Sequence, residues 1–218
     1  MLDFLRRTVG QKFLVGLTGL GLCLFVLIHV SGNMLIFVGA EQYNLYAHGL
    51  HEFFLMEVFE VGLLTLFMGH ILIALSLGWK NRFARREKYR HSVSGDKKPA
   101  FVHAALVFQG VALLAFLVWH LLTFKFGPYY EISHRGQTMR DIYRLVVEVF
   151  QNPLYVAGYS VALLILSVHL GRGFSASLKS LGFNHPQYMP WVERFGWLFS
   201  ALVSLGFLSQ PFYVYFFL

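Results

Sequence analysis

The chain has little cysteine and little charge. A single cysteine, Cys23, occurs among its 218 residues. One thiol excludes an intramolecular disulfide, and it excludes an iron–sulfur cluster held by this chain alone, because such a cluster needs several thiolates. Charged residues make up 13% of the sequence, about half of the roughly 25% that is usual in soluble domains. The composition therefore indicates an integral membrane protein.

Hydrophobic residues make up 56% of the sequence, and they are gathered into long runs. A helix needs roughly 20 apolar residues to cross a bilayer. Five runs meet that length, at residues 13–38, 53–79, 101–124, 153–172 and 195–217. The first follows Arg6, Arg7 and Lys12 as a secretion signal would, but it is too long for one and lacks a small-residue cleavage site. We therefore predict an all-α integral membrane protein, a bundle of five transmembrane helices that forms one domain over residues 1–218.

Basic residues are distributed unevenly between the two sides of this bundle. With five spans, the N-terminus and the loops 80–100 and 173–194 share one side, which holds fourteen of the 18 Lys and Arg residues. The positive-inside rule then predicts a cytoplasmic N-terminus and an external C-terminus. The net charge of +7 follows from this asymmetry, so it does not indicate nucleic acid. The basic run from Lys80 to Lys98 is a topology signal, a docking surface for a soluble partner, or both.

One segment on the predicted outer side, residues 137–151, is amphipathic. Its apolar residues recur at helical spacing, and they are Met139, Ile142, Leu145, Val146, Val149 and Phe150. This pattern predicts an amphipathic helix that lies on the outer face of the bundle. Such a helix either covers the bundle or forms one wall of a substrate site that opens to the lipid.

Four of the ten histidines lie inside different apolar runs: His29, His70, His120 and His169. An ionisable side chain in hydrocarbon is unfavourable enough to be a functional candidate. At ~1.5 Å of rise per residue, His29 and His120 lie roughly 24 and 28 Å above the inner ends of their spans. His70 and His169 lie roughly 13 and 5 Å above theirs. The depths therefore predict two pairs, His29 with His120 in the outer half of the membrane and His70 with His169 in the inner half.

Paired imidazoles favour one kind of ligand. A metal ion without a macrocycle is usually bound by three or four ligands, often including carboxylates or thiolates. Two imidazoles from facing helices suit the two axial positions of a heme iron instead, and an iron with both positions filled transfers electrons. Arg172, close to the inner pair, would neutralise heme propionates. The alternative is a heme-free transport or scaffold protein whose histidines pack as polar groups or relay protons.

The chain resembles the diheme cytochrome b membrane-anchor subunit of succinate:quinone oxidoreductases and quinol:fumarate reductases, the type in which one five-helix polypeptide carries both hemes. The resemblance covers nearly the whole chain and includes one histidine in each of the first four spans. Its most specific parts are Thr18-Gly19 before His29, Gln109 before Trp119-His120, and His169 followed by Gly173 and by Leu181-Gly182-Phe183.

The resemblance implies two hemes b, with His70 and His169 on the iron proximal to an iron–sulfur partner and His29 and His120 on the distal iron. It implies that FAD and iron–sulfur clusters belong to partner chains, a flavoprotein and an iron–sulfur subunit on the cytoplasmic side, which carry out the succinate and fumarate chemistry. This chain would pass electrons between the iron–sulfur subunit and a membrane quinone, menaquinone. The family also implies the bacterial cytoplasmic (inner) membrane, and it allows a dimer of heterotrimers.

Quinone reduction takes up protons, so a carboxylate or imidazole is needed near the outer pair. The candidates on the outer side are His51, Glu52, Glu57 and Glu60. Some fumarate-reducing relatives have a glutamate two residues before the fourth-span histidine, where this chain has Ser167, so proton transfer by that route is not predicted. A cytochrome b subunit of another dehydrogenase, such as a hydrogenase or a formate dehydrogenase, is the alternative within the same chemistry.

Overall fold

The computed structural model describes residues 7–83, 100–134 and 136–218, with side chains at 7–80, 105–134 and 136–218. Most of the basic run from Lys80 to Lys98 lies outside the described residues. Its interpretation as a topology signal or as a docking surface therefore stays a prediction.

The described chain contains seven α-helices: α1 (Thr8–Asn33), α2 (Ala40–His51), α3 (Met56–Phe83), α4 (Ala100–His120), α5 (Ile142–Phe150), α6 (Pro153–Ser180) and α7 (Met189–Phe217). A 3₁₀ turn, Met34–Phe37, extends α1, and a π-helical segment, Leu121–Lys125, extends α4. Strands β1 (Glu131–His134) and β2 (Gln137–Arg140) pair as an antiparallel hairpin.

Five segments are long and apolar enough to cross a membrane: Thr8–Phe37, Met56–Lys80, Ala105–Lys125, Pro153–Ser180 and Met189–Phe217. This confirms the predicted bundle of membrane-spanning helices, while its orientation in the membrane stays a prediction. The fourth segment continues past the end of the predicted run 153–172, and the fifth begins before the predicted run 195–217. The reason is that a helix continues through the polar residues that end an apolar run.

Both ends of α6 have a local cause. At its start the Asn152 side chain accepts a hydrogen bond from the Leu154 N–H at 2.9 Å, which satisfies one of the free donors of the first turn. At its end Gly182 has a φ of 98°, and the Phe183 N–H donates to the Leu178 carbonyl at 3.0 Å. This is the glycine-terminated arrangement that closes many helices. The helix therefore stops at a signal of its own, not at the edge of the apolar run.

Glycines allow α6 and α7 to pack closely. A Cβ atom at Gly171 would lie 2.6 Å from Trp197 Cε3, and one at Gly196 would lie 3.1 Å from the Gly171 carbonyl oxygen. Small residues at membrane helix contacts let the backbones approach each other. The two helices therefore meet through the Trp197 ring on one glycine and through backbone on the other.

The predicted amphipathic helix over 137–151 is shorter in the structure. Its first four residues form strand β2, and the helix begins after Asp141, whose carboxylate accepts from the Arg144 N–H at 3.0 Å and so caps the first turn. Met139 is buried, but it belongs to the strand. The apolar face of α5 is confirmed by three buried side chains, Leu145, Val146 and Phe150.

The prediction contains neither the helix α2 nor the hairpin, and it contains no strand. Asn44 of α2 joins α2 to α5, because its Nδ2 donates to Asp141 Oδ1 at 2.8 Å and its Oδ1 accepts from the Tyr143 N–H at 2.9 Å. Tyr43 of α2 and Phe150 of α5 belong to one buried cluster with residues at the ends of α6 and α7. We call α2, the hairpin and α5 the cap, because they cover one end of the bundle.

Candidate functional site

The structure brings His29 of α1 beside His120 of α4. Their ring centroids are 5.9 Å apart, and the ring planes meet at 86°. Phe25 stacks on His29 at 5.4 Å between centroids, and Phe124 packs on His120 at 5.3 Å. Both imidazoles are half-buried, and their surroundings are largely aromatic. We call these two residues the outer pair.

Each imidazole of the outer pair has a polar neighbour at Nδ1. Asn33 Nδ2 lies 3.4 Å from His29 Nδ1, and Tyr159 Oη lies 3.4 Å from His120 Nδ1. The orientation of the Asn33 amide follows from two other contacts, because its Nδ2 donates to the His29 carbonyl at 2.8 Å and its Oδ1 accepts from the Tyr43 hydroxyl at 2.7 Å. Tyr43 belongs to α2, so the cap helps to position His29.

The structure places His70 in α3 and His169 in α6, and we call these two residues the inner pair. Two glycines border their rings. A Cβ atom at Gly19 would lie 3.3 Å from His70 Cε1, and one at Gly110 would lie 3.7 Å from His169 Cε1. His70 therefore lies beside α1, and His169 lies beside α4.

The two imidazoles of the inner pair differ in their polar contacts. Thr18 Oγ1 lies 3.1 Å from His70 Nδ1. His169 Nδ1 is buried and has no hydrogen-bond partner among the described residues, and the same is true of Gln109 Oε1. Buried polar atoms in proteins are nearly always paired. His169 Nδ1 is therefore a candidate contact for a ligand, and the backbone of Leu106 is a polar neighbour of this imidazole.

The outer pair is compatible with two imidazoles that would hold one heme iron. An imidazole nitrogen bonds a first-row metal ion at ~2.0 Å, which puts two nitrogens on opposite sides of the ion ~4 Å apart. The 5.9 Å between the ring centroids of His29 and His120 is compatible with that separation. Within the described ranges no group of three or more His, Cys, Asp or Glu side chains gathers as a bare metal ion would require. The donor set at each level is two imidazoles.

Arg172 lies three residues after His169, and residues at this spacing share a face of a helix. Its side chain is half-buried, one turn of α6 from the inner pair. The predicted contact of this guanidinium with a propionate stays a prediction.

The four quinone-site candidates all lie on the surface of the protein. His51 and Glu52 end α2 with side chains that are 88% and 68% exposed, and His51 Nδ1 lies 4.0 Å from Glu52 Oε1. Glu57 is exposed in the first turn of α3. Glu60 forms an ion pair with Lys125, whose Nζ lies 2.6 Å from Glu60 Oε1. The structure therefore does not bury Glu57 or Glu60 inside a span.

A small electrostatic cluster ties the hairpin to α5. Arg144 Nε donates to Glu148 Oε1 at 2.8 Å, and the Arg144 guanidinium lies 4.1 Å from the centroid of the Tyr130 ring. The Tyr130 hydroxyl donates to Glu148 as well. This hydrogen bond, followed by the bond from Arg144, lowers the pKa of Glu148 below 4.5, and it raises the pKa of Tyr130.

Apart from Asn33, the polar partners of the histidines are not predicted by the sequence. Asn33 follows His29 by four residues, so helical spacing alone indicates that contact. Thr18 and Tyr159 contact histidines that are 52 and 39 positions away along the chain. No local pattern predicts such contacts, because they depend on how the helices pack.

No protein-family model, curated protein or solved structure matches the chain. The fold and the site define a multi-pass membrane protein in which four spans each carry one histidine and in which His29 and His120 lie side by side.

Proposed function

We propose that this chain is the diheme cytochrome b membrane anchor of a succinate dehydrogenase or fumarate reductase complex. The observation that supports the proposal is that four membrane-spanning helices each carry one histidine and that the His29 and His120 rings lie 5.9 Å apart between centroids. Each pair offers two imidazoles, the donor set of a heme iron whose axial positions are both filled. When bound, two hemes b would supply one-electron redox chemistry and no open position for oxygen.

The residues of the chain divide this task between them. His70 and His169 would hold the heme proximal to the partner subunits, and His29 and His120 would hold the distal heme. Aromatic rings such as Phe25 and Phe124 would exclude water from the distal site. The half-buried Arg172 would neutralise propionates of the proximal heme.

The partner chains follow from the resemblance to the diheme cytochrome b anchors, which assigns the clusters to an iron–sulfur subunit and FAD to a flavoprotein subunit. The single cysteine of this chain, which cannot hold a cluster, is consistent with that division. Both would dock on the cytoplasmic side of a bacterial inner membrane. Electrons would pass between the iron–sulfur subunit and menaquinone, and succinate or fumarate would react only on the partner chains.

Glu60 has the best structural support among the four candidates for proton exchange with the quinone. Lys125, its ion-pair partner, ends the π-helical segment that begins directly after His120. The Glu60 carboxylate therefore lies at the end of the span that carries a histidine of the outer pair. Replacing Glu60 by Gln should slow quinone turnover and leave the heme content unchanged. Equal turnover in wild type and E60Q would exclude Glu60 and leave His51, Glu52 and Glu57.

Purification of the chain from its native membrane under mild detergent tests the proposal. We expect an iron–sulfur subunit and a flavoprotein to co-purify, and the complex should transfer electrons between succinate or fumarate and a menaquinone analogue. Co-purification with a hydrogenase or formate dehydrogenase subunit instead would assign the chain to the alternative complex. A preparation without heme and without partners would contradict both.

One observation also favours a heme-free protein. The His29 and His120 rings contact each other directly in an edge-to-plane arrangement, which is a common way for aromatic rings to pack. On that account the histidines are polar packing groups or proton relays. An absorption spectrum separates the two accounts, because only a cytochrome has a reduced b-type α band.

A further inference from the structure

We propose that Thr18 is the positioning residue for His70: its hydroxyl oxygen accepts the proton of His70 Nδ1 and leaves the His70 Nε2 lone pair free to bind iron. The inference rests on the proposed function, because it assigns the ring orientation of one proposed heme ligand. It is carried by the contacts of one hydroxyl group, and it concerns neither substrate nor quinone.

The Thr18 hydroxyl has three polar neighbours. Its Oγ1 lies 2.8 Å from the Leu14 carbonyl oxygen, 3.2 Å from the Val15 carbonyl oxygen and 3.1 Å from His70 Nδ1. A hydroxyl has one proton to donate and two lone pairs that accept. Carbonyl oxygens only accept, so the hydroxyl proton is directed to Leu14 O at the shortest of these distances. The contact with His70 then needs its proton from the imidazole.

This assignment determines the tautomer of His70. A neutral imidazole carries one N–H, so a proton on Nδ1 leaves Nε2 with the unprotonated lone pair that a metal ion binds. Metal-ligating histidines usually donate their other N–H to a fixed acceptor, which orients the ring and makes the ligand more basic. Thr18 supplies such an acceptor from α1, a helix other than the one that carries His70, and the Val15 backbone of the same helix is a second partner of this imidazole.

The neighbouring residue makes the contact possible. A Cβ atom at Gly19 would lie 3.3 Å from His70 Cε1 and 2.7 Å from Ser177 Oγ. Because Gly19 has no side chain, the imidazole lies against the backbone of α1, within reach of the Thr18 hydroxyl. Thr18 and Gly19 thus act on the same ring, one by a hydrogen bond and one by leaving space.

The outer pair has a different arrangement. The polar atoms at Nδ1 of His29 and His120 are 3.4 Å away, longer than a usual hydrogen bond, so they determine no tautomer there. The acceptor contact at His70 is shorter, at 3.1 Å. Loss of a threonine hydroxyl in α1 should therefore affect one heme and leave the other unchanged.

The test is a redox titration of the purified, heme-loaded full-length protein with three variants. Thr18→Val removes the hydroxyl at nearly constant shape, and Thr18→Ser restores it. Thr65→Val is the matched control, because the Thr65 hydroxyl donates to the Val61 carbonyl at 2.8 Å within its own helix and is exposed. The readout is the midpoint potential of each heme.

We expect Thr18→Val to raise the midpoint potential of one heme, because a less basic imidazole stabilises ferric iron less well. A tenfold loss of that stabilisation corresponds to 59 mV for a one-electron couple. Thr18→Ser should return to the wild-type value, and Thr65→Val should not change it. Unchanged potentials in Thr18→Val, or an equal shift in Thr65→Val, would overturn the inference.

A second measurement needs no variant. In the reduced wild-type protein, the ¹H and ¹⁵N chemical shifts of the His70 Nδ1–H group should be those of an N–H that is hydrogen-bonded to an oxygen acceptor. Shifts of an N–H without a hydrogen bond would overturn the inference even if Thr18→Val does not accumulate in the membrane. Failure of the inference is distinct from failure of the proposed function, because the latter would appear first as a wild-type protein without heme.

Discussion

The imidazoles of His29 and His120 lie 5.9 Å apart between centroids, with their planes at 86°, although 91 positions separate them in the sequence. This proximity, together with the predicted pairing of His70 with His169, predicts losses of heme in pairs. His29→Ala and His120→Ala should each remove the same heme, and His70→Ala and His169→Ala should each remove the other. Difference spectra of membranes that contain each variant measure this.

The control for the histidine series is His185→Ala, because His185 is exposed outside the membrane-spanning segments. It should keep both hemes. A His29→Ala protein with the full heme content would show that the outer pair is not a ligand pair.

Tyr43 should affect the distal heme through Asn33, which contacts both Tyr43 and His29. Its hydroxyl donates to Asn33 Oδ1 at 2.7 Å, and burial raises the pKa of Tyr43, so the donor keeps its proton throughout the usual pH range. Tyr43→Phe leaves the Asn33 carbonyl unpaired, which costs about 1–3 kcal/mol. We expect a lower thermal midpoint in detergent and a weakened distal heme. Tyr46→Phe, at a half-exposed neighbour in α2, is the control, and equal effects of the two variants would contradict this role.

The folded cap should lose stability at low pH. The bonds from Tyr130 and Arg144 hold the pKa of Glu148 below its ordinary value of 4.5, so the carboxylate stabilises the folded cap at pH values above 4.5. That contribution is lost as the pH falls from 4.5 through the lower pKa of the folded state. Amide hydrogen exchange in α5, corrected for intrinsic rates, should therefore accelerate below pH 4.5. Glu148→Gln should flatten this pH dependence, whereas Glu131→Gln in strand β1 should preserve it.

The contact between α6 and α7 should not tolerate a methyl group at Gly171. A Cβ atom there would lie 2.6 Å from Trp197 Cε3, so Gly171→Ala must displace the indole or separate the helices. Such overpacking typically costs about 1–3 kcal/mol. The thermal midpoint in detergent should fall.

Gly62→Ala is the control, because a Cβ atom at Gly62 meets nothing within 4 Å. Alanine favours a helix by about 0.5–1 kcal/mol relative to glycine, so this variant should not lower the midpoint. A midpoint unchanged by Gly171→Ala would contradict the packing argument.

The membrane-spanning helices were predictable because each is a long apolar run, and length and hydropathy alone identify such runs. The cap was predictable only in part. The buried face of α5 follows from helical periodicity, but α2 and the hairpin are short and are held by contacts such as that between Asn44 and Asp141. Such contacts join residues that are far apart in the chain, and a linear pattern does not contain them.

The candidate site was also predictable only in part. Depth in the membrane predicts which histidines lie at the same level, because the rise of a helix per residue is constant. The partners at Nδ1 depend on helix rotation, which depth does not determine. The π-helical segment after His120 also has no sequence signal, and it is this segment that brings Lys125 to Glu60.

The most direct test of the central claim is the heme content of the purified full-length chain. Extraction and quantitation of heme against protein, together with the reduced-minus-oxidised spectrum, should give two hemes b for each chain and a b-type α band. One heme for each chain would show that only one of the two pairs binds iron. No heme at all in a folded protein would contradict the account.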